Sequence, residues 1–340
     1  MENTIFLTPN LFKTESFKLF ESNAFLVEAG RYSSGVAVLK VSNSRGYLKI
    51  LPYMGMIIWD AFFDEETLKM KDAFSQPLPG EGIADTYGCF QFSSGLLANG
   101  TPGPEDDYQL HGEFPTSPMT NAYLTIGGDS LTIGSQYEYV KGFGHHYLAQ
   151  PSVVMHRNSG LFDIKMAVTN LSKYQEMPLQ YMCHMNYAYH DQAKLSQSVS
   201  DDVFKLRQSI PGHVHPTPEW LAYNQRLKDS GEVITQLNNP DKYDPEIVYF
   251  TDNLTQYAKE VTFKMTLKNG KQFMTKINTA EFPIVTRWIL HNPDQQVAAF
   301  ALPGTSRPEG FHAAQKAGTL IMLKPGEKRQ FSVTTGLVNE

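Results

Sequence analysis

The stretch Leu179-Gln180-Tyr181-Met182-Cys183-His184-Met185-Asn186-Tyr187-Ala188-Tyr189-His190-Asp191 holds the densest set of groups able to move protons. Taken as a strand, alternate residues share a face, so Gln180, His184, Asn186 and His190 fall on one side. Tyr181, Cys183, Met185, Tyr187 and Tyr189 fall on the other. One face then packs on a core, and the other presents hydrogen-bonding groups to a cleft. An imidazole with a near-neutral pKa beside an amide suits proton transfer onto a polyol ring. A second cluster, Leu110-His111-Gly112-Glu113, follows the glycine-rich run Gly95-Leu96-Leu97-Ala98-Asn99-Gly100. The glycine after His111 lets a ligand approach the backbone closely. Glu113 can accept hydrogen bonds from sugar hydroxyls.

Other residues offer weaker chemistry. Trp59 and Trp288 carry faces that stack on pyranose C–H groups, although their apolar strand-like contexts suit core packing. Trp220, beside Pro218 and Glu219, reads as an exposed ring next to a loop. Arg287 and Arg307 can pair with an anionic sugar substituent, against the commoner role of a surface ion pair. His213, His215 and Glu219 resemble part of the first cupin motif, in which two imidazoles and a carboxylate hold a divalent metal. The adjacent glycine and the surrounding prolines suit a loop better than that strand, so a metal site there is the weaker reading.

The elements that must position these groups read as strands. Gly35–Val41, Tyr47–Leu51, Gly55–Phe63 and Gly160–Asn170 are short β-type runs bounded by turn residues, and very little keeps a helical period over three turns. A Gly127-Gly128-Asp129 turn joins Tyr123–Ile126 to Ser130–Tyr137, and Asn269-Gly270 joins Val261–Leu267 to Gln272–Ile277. Pro325-Gly326 has type II character between Thr319–Leu323 and Arg329–Thr335. Two long loops, from Gln76 to Asp107 and from Ile210 to Pro218, interrupt the pattern. The expected fold is therefore all-β, a sandwich of antiparallel sheets with long loops, forming a single domain over residues 1–340.

Composition agrees with a packed globular chain. Its 340 residues include 21 Phe, 17 Tyr and 3 Trp, too many bulky groups for a disordered chain. A net charge of −6 without a basic stripe argues against nucleic acid as a partner. Cys89 and Cys183 are too few for a disulfide framework and read as reduced, buried thiols. The start of the chain has no secretory pattern and no stretch is long and apolar enough to span a membrane, so a cytoplasmic monomer or homodimer is expected.

Several blocks together resemble the galactose mutarotase-like aldose 1-epimerases, closest to a little-characterised epimerase-like branch. They are Gly95 through the Leu110-His111-Gly112 element, Asn170 and Pro178 ahead of His184-Met185-Asn186, and Ile321-Met322-Leu323-Lys324-Pro325-Gly326-Glu327. In order and spacing they cover roughly residues 30–337. The resemblance implies a β-supersandwich that interconverts the α and β anomers of a hexose or related, including modified, monosaccharide without a cofactor. By that likeness His184 matches the general acid and His111 the second, sugar-binding histidine. The family's glutamate base falls on Leu302, which cannot accept a proton. Glu309, Glu113 and Asp60 are the carboxylates considered in its place, with Asn186, Gln180, His190, Asp60, Arg307 and Trp220 as substrate-binding candidates. A carbohydrate-binding or sensing protein on the same fold, or a metal-dependent isomerase using His213, His215 and Glu219, are the alternatives.

Overall fold

Alternating burial along Ala37–Ser42 and Leu161–Asn170 is the imprint of strands with one face on a core. The structure, a computed structural model that describes residues 3–212 and 214–339, gathers such strands into two large antiparallel sheets, one of nine strands and one of thirteen. Six strands at the centre of the larger sheet matter for function: β1 (Ile57–Phe63), β2 (Gln91–Leu96), β3 (Met177–Met185), β4 (Ile247–Thr251), β5 (Ile284–His291) and β6 (Gln296–Gly304). Their spatial order is β4-β5-β6-β3-β2-β1. β3 pairs along β2 with His184 opposite Phe92 but meets β6 only at Met182 and Gly304. That near-break separates two halves of the sheet, and side chains from both face one cavity.

The core lies between the sheets. Phe63 of β1 stacks on Phe162 of the nine-stranded sheet at 5.9 Å, and the Tyr187 hydroxyl meets Thr335 Oγ1 at 2.6 Å. Such aromatic pairs account for much of the Phe and Tyr content. Cys89 and Cys183 are free and buried, and burial pushes both thiols up to about 12. Neither is ionised at neutral pH, in keeping with the expectation from composition.

The hairpin at Asn269-Gly270 forms with Thr266 opposite Gln272, and Gly270 takes φ 86°. Two expectations are corrected. Gly326 adopts φ 75°, as a type II turn requires, but the strands on either side part company. Ile321–Leu323 pairs with the start of β3, whereas Lys328–Val338 enters the nine-stranded sheet between Leu161–Asn170 and Gln272–Asn278. The second correction is a helix, α1 (Pro218–Ser230), capped by the Thr217 hydroxyl and closed by Gly231 at φ 67°. No helix of the described residues is long and apolar enough to cross a membrane.

Candidate active site

Alternation along β3 sends Tyr181, Cys183 and Met185 into the core and His184 into a cavity of about 470 Å³. His184 is buried, and its ring stacks on Phe92 of β2 at 4.5 Å. His111 approaches edge-on at 4.9 Å, Trp288 of β5 at 5.7 Å, and Tyr87 at 5.9 Å. The Tyr87 hydroxyl lies 3.3 Å from His184 Nε2. Burial, and then the neighbouring His111, hold the His184 pKa well below its ordinary value, while Asn186 pulls weakly the other way. His184 therefore rests as neutral imidazole. Its Nδ1 and the Asn186 Oδ1 make no well-formed hydrogen bond among the described residues.

His111 is placed by backbone. Its amide donates to Gly100 O at 2.8 Å and its carbonyl accepts from Gly95 at 2.9 Å. It holds φ 66°, and Gly112 follows at φ 82°, a left-handed pair that folds the loop back over β2. Ser94 Oγ stands 2.5 Å from Asn99 Oδ1 and 2.9 Å from His111 Nδ1. With the Ser94 proton given to Asn99, His111 Nδ1 is the donor to Ser94, which assigns its tautomer. A Cβ at Gly112 would overlap the carbonyl oxygens of Ala98 and Gly95. Gly112→Ala is expected to cost at least about 2 kcal/mol from strain and overlap, read as a lower urea midpoint.

A residue that the sequence reading passed over completes the wall. Glu246, just ahead of β4, is 8% exposed and lines the same cavity. It accepts from Arg207 Nη2 at 2.6 Å and from Trp288 Nε1 at 2.7 Å. Tyr87 and Phe92 were missed too. No motif marks Glu246 or Tyr87; only a carboxylate opening an apolar strand, and a tyrosine late in the first long loop, were there to be read. Leu302 of β6 does line the cavity, 1% exposed.

The other anticipated residues lie elsewhere. Glu113 is not among the residues lining the cavity and accepts from the Leu96 and Leu97 amides at 3.0 and 3.1 Å and from the Tyr147 hydroxyl at 2.7 Å. Burial raises its pKa against those three donors. Glu309 borders a second cavity with Arg307, which pairs with Asp252. Asp60 pairs with Lys49 on the strand beside β1. Gln180 is buried and donates to Ser306 Oγ at 2.8 Å, and the Asn186 amide donates to Cys89 O at 3.0 Å. β3 ends at Met185, so His190 does not share its face and packs near Phe273 at 5.5 Å. Trp220, expected to be exposed, is buried on α1 with its indole N–H donating to Glu246 O at 3.1 Å. Arg287 is buried as well, over the Phe204 ring at 4.0 Å with Ile234 O and Gln197 as acceptors, and desolvation lowers it to about 10. Trp59 packs in a small core cluster with Lys69 over its ring at 4.7 Å. His213 lies outside the described residues. Glu219 is exposed in the first turn of α1, His215 is exposed, and no group of His, Cys, Asp and Glu among the described residues is placed to hold a metal.

His184, His190 and His145 all have pKa values lowered first by burial. Near pH 6.5 the unfolded chain takes up protons that the folded one refuses. Unfolding then binds protons, so stability is full above that pH and falls as pH drops toward the folded-state values. Thermal midpoints are expected to decline from pH 7.5 to pH 5, and His184→Gln to flatten part of the slope.

Two large antiparallel sheets packed on one another match the galactose mutarotase-like fold of solved structures. Among solved structures the chain is similar to a candidate aldose 1-epimerase from Klebsiella pneumoniae, with TM-score 0.82 and 15% identity over 100% of this chain and 92% of that one. It is also similar to a galactose mutarotase-like protein from Clostridium acetobutylicum, TM-score 0.63 and 13% identity over 94% and 100%. A galactose 1-epimerase from Lactobacillus acidophilus aligns at TM-score 0.56 and 12% identity over 96% and 99%. No protein-family model matches the chain, and no curated protein matches its sequence. At these identities the likeness is one of fold.

Proposed function

We propose that the protein is an aldose 1-epimerase-like enzyme that interconverts the α and β anomers of a free monosaccharide, acting as one mutarotase-like unit in the cytoplasm. The observation that carries this reading is the pair of imidazoles, His184 and His111, 4.9 Å apart in a cavity walled by Trp288 and Tyr87. Aromatic walls suit the C–H faces of a sugar, and the two rings suit its oxygens. Protonated His184 gives its proton to the ring oxygen while a carboxylate takes the proton of the anomeric hydroxyl, the C1–O5 bond opens to the aldehyde, rotation about C1–C2 turns the carbonyl, and reclosure with both protons returned forms the other anomer. A depressed pKa makes the small protonated fraction of His184 a strong acid. His111, oriented through Ser94, binds and polarises the sugar.

Polarimetry on fresh α-D-glucose, α-D-galactose and α-D-xylose tests the reading: the decay of optical rotation should quicken in proportion to enzyme. A second reading, a sugar-binding or sensing protein, is favoured by Leu302 at the cavity wall. Calorimetric binding of these sugars without faster decay would select it.

A further inference from the structure

We propose that Glu246 takes the proton of the anomeric hydroxyl in this protein, so that the base comes from the start of β4 while the β6 position is filled by Leu302. The inference rests on the mutarotase reading of the cavity. Two carboxylates among the described residues line that cavity, Asp244 and Glu246. Asp244 is exposed and accepts from the Asn292 amide at 3.2 Å. Glu246 is buried, and two donors fix its plane, Arg207 on Oε1 and the Trp288 indole on Oε2. Each carboxylate oxygen has two lone-pair sites, so one per oxygen is left after those bonds. The Trp288 indole that holds Glu246 also stands beside the His184 ring. Acid and base candidates are thus tied to one rigid side chain.

The chemistry asks for no strong base. As the C1–O5 bond breaks, its electron pair stays on O5, which binds the proton from His184. The O1–H bonding pair becomes the second C1–O1 bond, and the released proton passes to Glu246. A hydroxyl on a carbon that is losing its ring oxygen approaches a protonated carbonyl in acidity, so an ordinary carboxylate suffices. Reclosure returns both protons, and atoms and charge balance over the cycle.

The test compares wild-type enzyme with Glu246→Gln, Glu246→Asp, Glu246→Ala and Asp244→Asn, using polarimetry and calorimetric sugar binding on the same α-D-hexose, with circular dichroism to verify folding. Glu246→Gln should lower kcat by about 10² or more with the sugar Kd within about threefold, and formate should restore about tenfold to Glu246→Ala. Glu246→Asp keeps a charge for Arg207 and Trp288 and serves should the other variants not fold; its kcat should drop about tenfold as the carboxylate recedes. A raised KM with unchanged kcat would make Glu246 a binding group and overturn the proposal, as would unchanged kcat in Glu246→Asp, or a loss carried by Asp244→Asn instead. Wild-type protein that binds the sugar without speeding its mutarotation would overturn the mutarotase reading, and the proposal with it.

Discussion

Replacing His184 by phenylalanine is expected to lower the proposed mutarotase rate by about 10² to 10⁴ while the protein folds as well as before, or better. The ring lies flat on Phe92 at 4.5 Å, and another phenyl group can keep that stack. What disappears is a buried polar ring whose Nδ1 lacks a well-formed partner and whose charged form is strongly disfavoured by burial. A group kept for packing would be better satisfied, so activity and stability should move apart on its removal. Parallel polarimetry and thermal melts check this. A large fall in melting temperature with little change in rate would assign His184 to the core.

The second large effect is expected at Glu113, and it lies in stability. Its carboxylate receives two amides beside β2 and the hydroxyl of Tyr147, which belongs to the nine-stranded sheet. Glu113 is thus a polar staple between the sheets, at the end of the loop that carries His111. Glu113→Ala strands three donors, each costing about 1–3 kcal/mol when left unpaired, so a loss of about 3 kcal/mol or more is expected in urea unfolding. Glu113→Gln keeps one acceptor oxygen and should lose less. A catalytic base would behave in the opposite way, with the glutamine variant stable and inactive. The two variants together separate the roles.

The sheet architecture was legible where local chemistry decides it. Asn269-Gly270 encodes its own turn, and the alternation in Gly160–Asn170 encodes its own face. His184 and His111 could be singled out because each stands in a short, unusual run. Glu246 could not, since its value depends on Arg207, just past the strand Phe204–Leu206, and on Trp288 of β5, both distant from it in sequence. Trp220 was misread for a related reason: the Pro218-Glu219 context is polar, but Thr217, Pro218 and Gly231 together cap a helix whose inner side carries the indole. The polar row from Gln180 to His190 failed because β3 stops at Met185 and the chain turns to reach Cys89 O through Asn186. Strand length is a tertiary outcome that alternation alone does not report.

The parting of strands at Pro325-Gly326 bears on how the chain is made. Lys328–Val338 is an inner member of the nine-stranded sheet, with Val333 opposite both Ile164 and Ile277. On a ribosome, the segments before it emerge with two open edges and nothing to join them. The sheet can close only after Val338 has cleared the exit tunnel, so this closure waits on a late segment and is dominated by contacts distant in sequence. Until then those edges are exposed to wrong partners, which makes the nascent chain the stage at which this protein is most prone to aggregate.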